Sequence, residues 1–274
     1  MLKQVLKTAI SLSALSIILT TSSSVFADPI ADAVNSENRA ADQRLRDEYR
    51  NPQATLRFFD VQPDMAVAEI SPGGGWYSSI LAPLLKDKGT FYAAHNYVYE
   101  GAHEYYARTL KAFKEKTAAN PDFANMKITA FHHNKAPDFA PAGSLDRVLT
   151  FRNVHNWYMD GEQQGLNNAF AAYAKALKKG GILGLVEHKL PESADDEMQK
   201  SSGYMKQSVV IAAAKKAGFE LVGESPVNFN PLDTKDHEKG VWTLMPSLSL
   251  GDKDRAKYLA IGESDRMTLK FKKL

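Results

Sequence analysis

Apolar residues along this chain fall into two alternating patterns: short, nearly continuous runs, and longer segments in which they recur every three or four positions. The first pattern is that of strands covered on both faces, the second that of helices packed on one face. Strands are expected at Met65–Ile70, Gly89–His95, Lys127–Phe131, Leu145–Phe151 and Ile182–Val186, with last strands at Phe219–Val222 and Met267–Phe271. Helices are expected at Trp76–Leu85, Glu104–Ala118 and Tyr204–Ala217. Between the fourth and fifth strands, Asp160 and Gln163 have the spacing of a capping box, after which Leu166, Phe170, Tyr173 and Leu177 share one face. Lys178-Lys179-Gly180-Gly181 reads as the stop of that helix, basic charge followed by glycine. Strand alternating with helix implies right-handed crossovers and a mainly parallel sheet, hence an α/β layered domain.

The flanks read differently. Residues 28–60 form an expected N-terminal helical extension ahead of a domain over 61–274. Asp28–Tyr49 is polar, with Ala31, Val34, Ala41 and Leu45 at loose helical spacing, so it is expected to pack weakly. Pro52 starts a second short helix, with Leu56, Phe58 and Phe59 as its apolar face. The tract Pro226–Arg255 reads either as an insertion covering the ligand pocket or as an edge hairpin with no ligand role. Met1–Ala27 has the three parts of a secretory signal peptide: Lys3 and Lys7, an apolar stretch over Ala9–Leu19, and Val25-Phe26-Ala27 before the cut. Its apolar run falls short of the ~20 residues a bilayer needs. The chain is therefore expected to be exported, periplasmic in a Gram-negative host, with no stable membrane anchor.

Charge follows from that leader. The formal charge of +2 comes from 34 basic against 32 acidic side chains, and the leader holds two of the basic ones. The remainder is neutral, which disfavours nucleic acid as a partner and points to a small-molecule substrate. The absence of cysteine excludes disulfides, thiolate metal sites and a cysteine nucleophile.

The segment Glu69-Ile70-Ser71-Pro72-Gly73-Gly74-Gly75-Trp76-Tyr77 sits where the first strand meets the first helix of the domain. Its glycines let backbone approach a ligand, at the strand-end crevice where open α/β sheets bind small molecules. With Glu69 in the acidic place, Gly73 and Gly75 as second and third glycines and Ser71 in place of the first, it resembles the first motif of class I S-adenosylmethionine-dependent methyltransferases. The wording around it looks most like a group of exported predicted methyltransferases. Phe151-Arg152-Asn153-Val154 is similar to the post-strand motif of quinone-biosynthesis C-methyltransferases. The resemblance implies a three-layer Rossmann-like fold, with a mainly parallel seven-stranded sheet and helices on both faces. It also implies S-adenosylmethionine as cofactor, held by Glu69, Ser71, Pro72, Gly73, Gly74, Gly75, Trp76, Tyr77, His95, Asn96, Arg152 and Asn153. One departure concerns the second strand. It ends in His95-Asn96, where the family has a carboxylate for the ribose hydroxyls.

Five histidines follow strand ends: His95, His132, His133, His155 and His188. Three readings stay open for them: chance exposure in loops, catalysis and a metal site. His155, in Arg152-Asn153-Val154-His155-Asn156-Trp157-Tyr158, is the candidate general base, since imidazole exchanges protons near neutral pH. Trp157 and Tyr158 then either wall the acceptor pocket or pack against the sheet edge, with His188 and Tyr204 on the substrate side. A metal would draw on His155, His188 and Glu187, without any HxH or HExxH spacing. No G-x-S-x-G elbow and no P-loop is present. For a dinucleotide enzyme the acid stands at Glu69 instead of about 20 residues later, and Asp87, near that distance, falls in a turn. Two functions lead, a methyltransferase acting on a small or medium-sized organic acceptor and an exported, non-catalytic small-ligand-binding protein that retains the fold, with a metal-dependent hydrolase third.

Overall fold

A computed structural model describes residues 28–274, and the expected leader lies outside the described residues. Among those described, no helix is long and apolar enough to cross a membrane. The chain enters through four short helices, α1 (Pro29–Val34), α2 (Ala41–Arg44), α3 (Asp47–Arg50) and α4 (Pro52–Phe58). Strands and helices then alternate: β1 (Ala66–Ile70), α5 (Ser78–Leu85), β2 (Thr90–Asn96), α6 (Glu104–Ala118), β3 (Lys127–Phe131), β4 (Leu145–Phe151), α7 (Val154–Ala176) and β5 (Leu177–Leu190). The chain ends through β6 (Met205–Lys206), α8 (Gln207–Lys216), β7 (Phe219–Ser225), α9 (Arg255–Ile261) and β8 (Arg266–Lys273).

The main sheet runs β3-β2-β1-β4-β5-β8-β7, parallel from β3 to β5, with β8 antiparallel to both its neighbours. The two-residue β6 pairs with the end of β5 off this path. Alternation along each strand sorts side chains between two cores. Ala68, Ile70 and Val148 face α7 and α8, where Leu166, Phe170, Tyr173 and Val210 pack. Val67 and Leu149 face the other way, against Leu56, Phe59, Ile80 and Leu81 of α4 and α5. This is the three-layer Rossmann-like arrangement.

Five local expectations change. The N-terminal extension does not pack weakly: Ile30, Ala33 and Val34 join the second core, and Arg39 and Arg50 are almost fully buried. The helix after β4 starts at Val154, not at Asp160. The Glu187 carboxylate, from the next strand, accepts hydrogen bonds from the Val154 and His155 amides (2.5 and 3.2 Å) and so caps the first turn. Such a cap from a neighbouring strand leaves no trace in the local sequence. Asp160 falls instead beside a kink, where Glu162 has φ 46°, and its carboxylate lies 3.3 Å from His133 Nε2. The Lys178–Gly181 stop becomes the start of β5, because Leu177 pairs with Leu145 and continues the sheet. Helix α8 starts at Gln207, since Met205 and Lys206 are taken by pairing with β5. The tract 226–255 contains no strand among its described residues, only a 3-10 turn at Gly240–Thr243 and the start of α9, so it is not a hairpin.

The kink folds the first part of α7 back on the rest. A Cβ at Gly165 would sit 2.0 Å from the Trp157 carbonyl oxygen, a contact that backbone cannot relieve cheaply. Gly165→Ala is therefore expected to lower stability by about 1–3 kcal/mol, as overpacking does, read as a lower urea midpoint. An unchanged midpoint would show that the kink is not needed.

Candidate active site

Register brings the strand ends to one level, with Ile70 opposite both Ala94 and Thr150, and Thr150 opposite Leu185. A cavity of about 550 Å³ opens above this edge, within the roughly 300–1,000 Å³ usual for small-molecule sites. The loops after β1 and β4, the N-terminal extension, α6 and the 226–255 tract enclose it.

The turn after β1 supplies Ser71, Pro72, Gly73 and Gly74 to the cavity wall. Ser71, at the place of the motif's first glycine, adopts a left-handed backbone (φ 46°), at a cost on the order of 1–2 kcal/mol for a non-glycine residue. The turn is held from three sides. Asn153 Nδ2 donates to the Ile70 carbonyl (2.8 Å), Lys116 Nζ to that of Gly74 (3.0 Å), and His95 Nε2 to that of Gly73 (3.1 Å). His95 Nδ1 accepts from the Asn96 amide (2.9 Å), which places the ring proton on Nε2. Burial lowers the His95 pKa and keeps it neutral in that role. A Cβ on Gly73 or Gly74 would meet nothing within 4 Å, whereas one on Gly75 would press on Phe113 at 2.7 Å. Gly73 and Gly74 thus face open space, while Gly75 serves packing. Ser71 Oγ is buried with no hydrogen-bond partner among the described residues.

Several expected cofactor residues lie behind this wall rather than in it. Glu69 is buried beneath α5, accepting from Ser78 Oγ at 2.5 Å, and burial pushes its pKa up to about 7. Tyr77 stacks on Phe151 (3.6 Å between centroids) and donates to the Arg50 carbonyl. His95 is likewise enclosed, whereas Asn96 and Trp76 line the cavity.

After β4, Arg152 (φ 61°), Asn153 and His155 line the cavity together with Trp157. His155 Nδ1 lies 2.9 Å from Glu187 Oε1. Glu187 is fully buried and also accepts from the Val154, His155 and His188 amides. A carboxylate so placed accepts a hydrogen bond from Nδ1–H, leaving Nε2 as the free nitrogen of His155. His188 lines the cavity beside it, ring centroids 5.3 Å apart, with Nδ1 against Ser264 Oγ at 2.5 Å. Burial, then the charges of His155, Arg152, Arg266 and Arg50, press the His188 pKa well below its usual value. His155, Glu187 and His188 do place three donor atoms within 4.8 Å of one another. Glu187, however, already receives four N–H groups, and the adjacent arginines oppose a cation, so the arrangement is a hydrogen-bonded dyad rather than a metal cage.

Two expected substrate residues stay outside the cavity lining. Tyr158 packs, half-buried, against the α7–α8 side of the sheet. Tyr204 is fully buried, its hydroxyl donating to the Asp233 carboxylate at 2.9 Å. Trp242, from the 226–255 tract, takes the place expected for them, 6.0 Å from the His155 ring. His132 and His133 stand past β3 and also miss the cavity.

The largest addition is an arginine group. Arg46, Arg50 and Arg152 line the cavity, with Arg266 behind them, around the single carboxylate of Glu263. Arg46 and Arg50 are four residues apart, the spacing that shares a helical face, and that was the one local sign of them. Burial pushes the Glu263 pKa up, but Arg50, Arg266, Arg152 and Arg46 outweigh it and hold it at about 2. A carboxyl group with a depressed folded-state pKa stabilises above its unfolded value, and that stability is lost as pH falls through the folded one. Glu263 therefore contributes about 3 kcal/mol at pH 7, lost between about pH 4.5 and 2. Glu263→Gln is expected to melt well below the parent at pH 7 and close to it near pH 2. A constant gap across that range would contradict this assignment.

Among solved structures, an S-adenosylmethionine-dependent methyltransferase from Aquifex aeolicus matches 90% of this chain and 99% of its own, with TM-score 0.54 and 15% identity. The fold is that of class I methyltransferases. A geranyl diphosphate C-methyltransferase from Streptomyces coelicolor A3(2), solved with Mg2+, geranyl diphosphate and S-adenosyl-L-homocysteine, matches over 89% of this chain and 87% of its own (TM-score 0.54, 10% identity). The cyclase SpnF matches over 89% and 91% (TM-score 0.51, 15% identity). At these identities the likeness is one of fold. No protein-family model and no curated protein matches the sequence.

Proposed function

We propose that the chain is an S-adenosylmethionine-dependent methyltransferase acting on a small or medium-sized organic acceptor. The observation that carries this reading is the turn after β1: Gly73 and Gly74 face open space and Ser71 Oγ lies buried without a partner, at the edge where this fold binds its ligand. Ser71–Gly74, Trp76, Asn96 and Asn153 would hold the donor. When bound, the donor supplies an electrophilic methyl group. The chain orients the acceptor within the cavity and excludes water from it, and effective concentration accounts for much of such catalysis. His155 Nε2 takes the acceptor's proton, and the Glu187 carboxylate stabilises the imidazolium that forms.

Gly74 offers a clean test. A Cβ there meets no heavy atom within 4 Å, so a larger side chain would enter the ligand space without disturbing the core. The parent chain is expected to give calorimetric heat with S-adenosylhomocysteine, and Gly74→Leu to lose that heat while melting within a few degrees of the parent. Absence of any heat with either S-adenosylmethionine or S-adenosylhomocysteine in the parent would refute the reading.

One observation favours a second reading. Asn96, not a carboxylate, meets the cavity at the end of β2, and a neutral acceptor binds the ribose hydroxyls more weakly by about 1 kcal/mol. An exported, non-catalytic binding protein tolerates that loss. Mass spectrometry of small molecules co-purifying from the native compartment separates the two, because recovery of the donor or its demethylated product favours the enzyme.

A further inference from the structure

The arginine group lies at one end of the cavity and is short of negative charge. Glu263 meets Arg46 at 2.6 Å, Arg50 at 3.1 Å, Arg266 at 3.2 Å and Arg152 at 3.8 Å. Guanidinium groups stay protonated even when buried, so four positive charges face one carboxylate and three remain uncompensated. Of the other acids nearby, Asp42 is exposed and attracts Arg46 only from a distance, and the rest are committed elsewhere. Asp47 is bound to Arg39, Glu187 is committed to His155 and three amides, and Glu69 lies under α5 on Ser78. Arg50 is 2% exposed, its guanidinium packs over Trp76 at 4.6 Å, and its Nη1 has no partner among the described residues although the residue lines the cavity. A buried guanidinium N–H without an acceptor is costly, and a planar donor fork is suited to carboxylate or phosphate oxygens.

The methyl donor does not remedy the deficit. It carries a sulfonium and an ammonium against one carboxylate, a net charge of +1. Even with that carboxylate on the arginines, a complex with a neutral acceptor would hold more positive charge than the empty cavity. The same reasoning disfavours a divalent metal here.

We propose that the acceptor is an anion, a carboxylate or a phosphate ester, whose charged group docks on Arg46, Arg50 and Arg152 at the Glu263 end of the cavity. The proposal rests on the methyltransferase reading for its donor, but the charge deficit is independent of it. His155 stands on the same cavity wall, past Arg152 in the chain, so an acceptor anchored by its anion presents its uncharged part toward the dyad.

The test uses the mature chain saturated with S-adenosylhomocysteine, titrated at constant ionic strength with inorganic phosphate and, separately, with acetate. At least one is expected to bind one-to-one and to raise the melting temperature, and the tighter of the two names the anionic group. Arg46→Gln and Arg152→Gln, each checked for a parent-like melt without ligand, are expected to weaken that binding at least tenfold. Lys111→Gln, on the exposed face of α6, should leave it unchanged. If both anions compete with S-adenosylhomocysteine and neither binds the saturated protein, the arginines serve the donor's own carboxylate; the anionic acceptor falls and the methyltransferase stands. If phosphate binds but S-adenosylhomocysteine never does, the donor reading fails and the acceptor assignment falls with it. Binding of neither anion in either form overturns the proposal outright.

Discussion

One buried carboxylate organises the cavity edge of the sheet. Glu187, at the end of β5, accepts the two amides that open α7, the amide of His188 and the Nδ1 proton of His155. With no solvent exposure, it has those donors in place of water around its oxygens. Loss of any one of them therefore weakens the case for the others. The start of α7, the direction of the His155 ring and the junction of β4 with β5 are consequences of a single electrostatic requirement. A buried carboxylate at the positive end of a helix is also favoured by the helix dipole. Structure and chemistry share this group: what caps the helix also fixes the tautomer of His155.

The turn after β1 follows a similar logic with weaker partners. Its carbonyl oxygens at Ile70, Gly73 and Gly74 are held by Asn153, His95 and Lys116, which come from β4's loop, β2 and α6. Three elements thus support a turn in which Ser71 takes a left-handed backbone that costs a glycine nothing and a serine something. Polar atoms on the outer side of the turn stay bound to protein. Ser71 Oγ, itself buried, has no such partner among the described residues. A preorganised turn with one unsatisfied face is what ligand recognition requires, since the ordering has been completed before the ligand arrives.

Local sequence patterns made much of this legible. Periodicity located all seven strands of the main sheet: the central ones, covered on both faces, are nearly continuous apolar runs, while β3 and β7 at the edges are only partly buried. The glycine turn, Asn96, Asn153, His155 and His188 were placed on one edge by topology alone, since parallel strands end together. What the sequence hid was tertiary. The start of α7 depends on Glu187, thirty-odd residues away, and the burial of Tyr204 depends on Asp233. Alternation along β1 explains Glu69: it shares the face of Val67, toward α5, and so lies beneath the turn. Arg46 and Arg50 were hidden for another reason. Charged residues on a short helix read as a solvated face, and only the fold shows that the helix is pressed against Trp76 and Glu263.

That misreading carries the most consequence for function. A neutral chain pointed to a small organic ligand and left its charge open, because local charge is decoupled from the total. Arg46 and Arg50 come from the N-terminal extension, Arg152 from the loop after β4, and Glu263 and Arg266 from the approach to β8. No two of these segments are adjacent in the chain, so no window of sequence contains the cluster. Burying four guanidiniums around one carboxylate is unfavourable unless their remaining donors find acceptors. A fold selected for stability alone would add a second acid or replace an arginine by an apolar residue. Retaining the surplus beside an open cavity makes sense where the missing negative charge enters with a ligand. The extension then belongs to the site as much as the sheet edge does: it closes the cavity and sets the sign of what enters it.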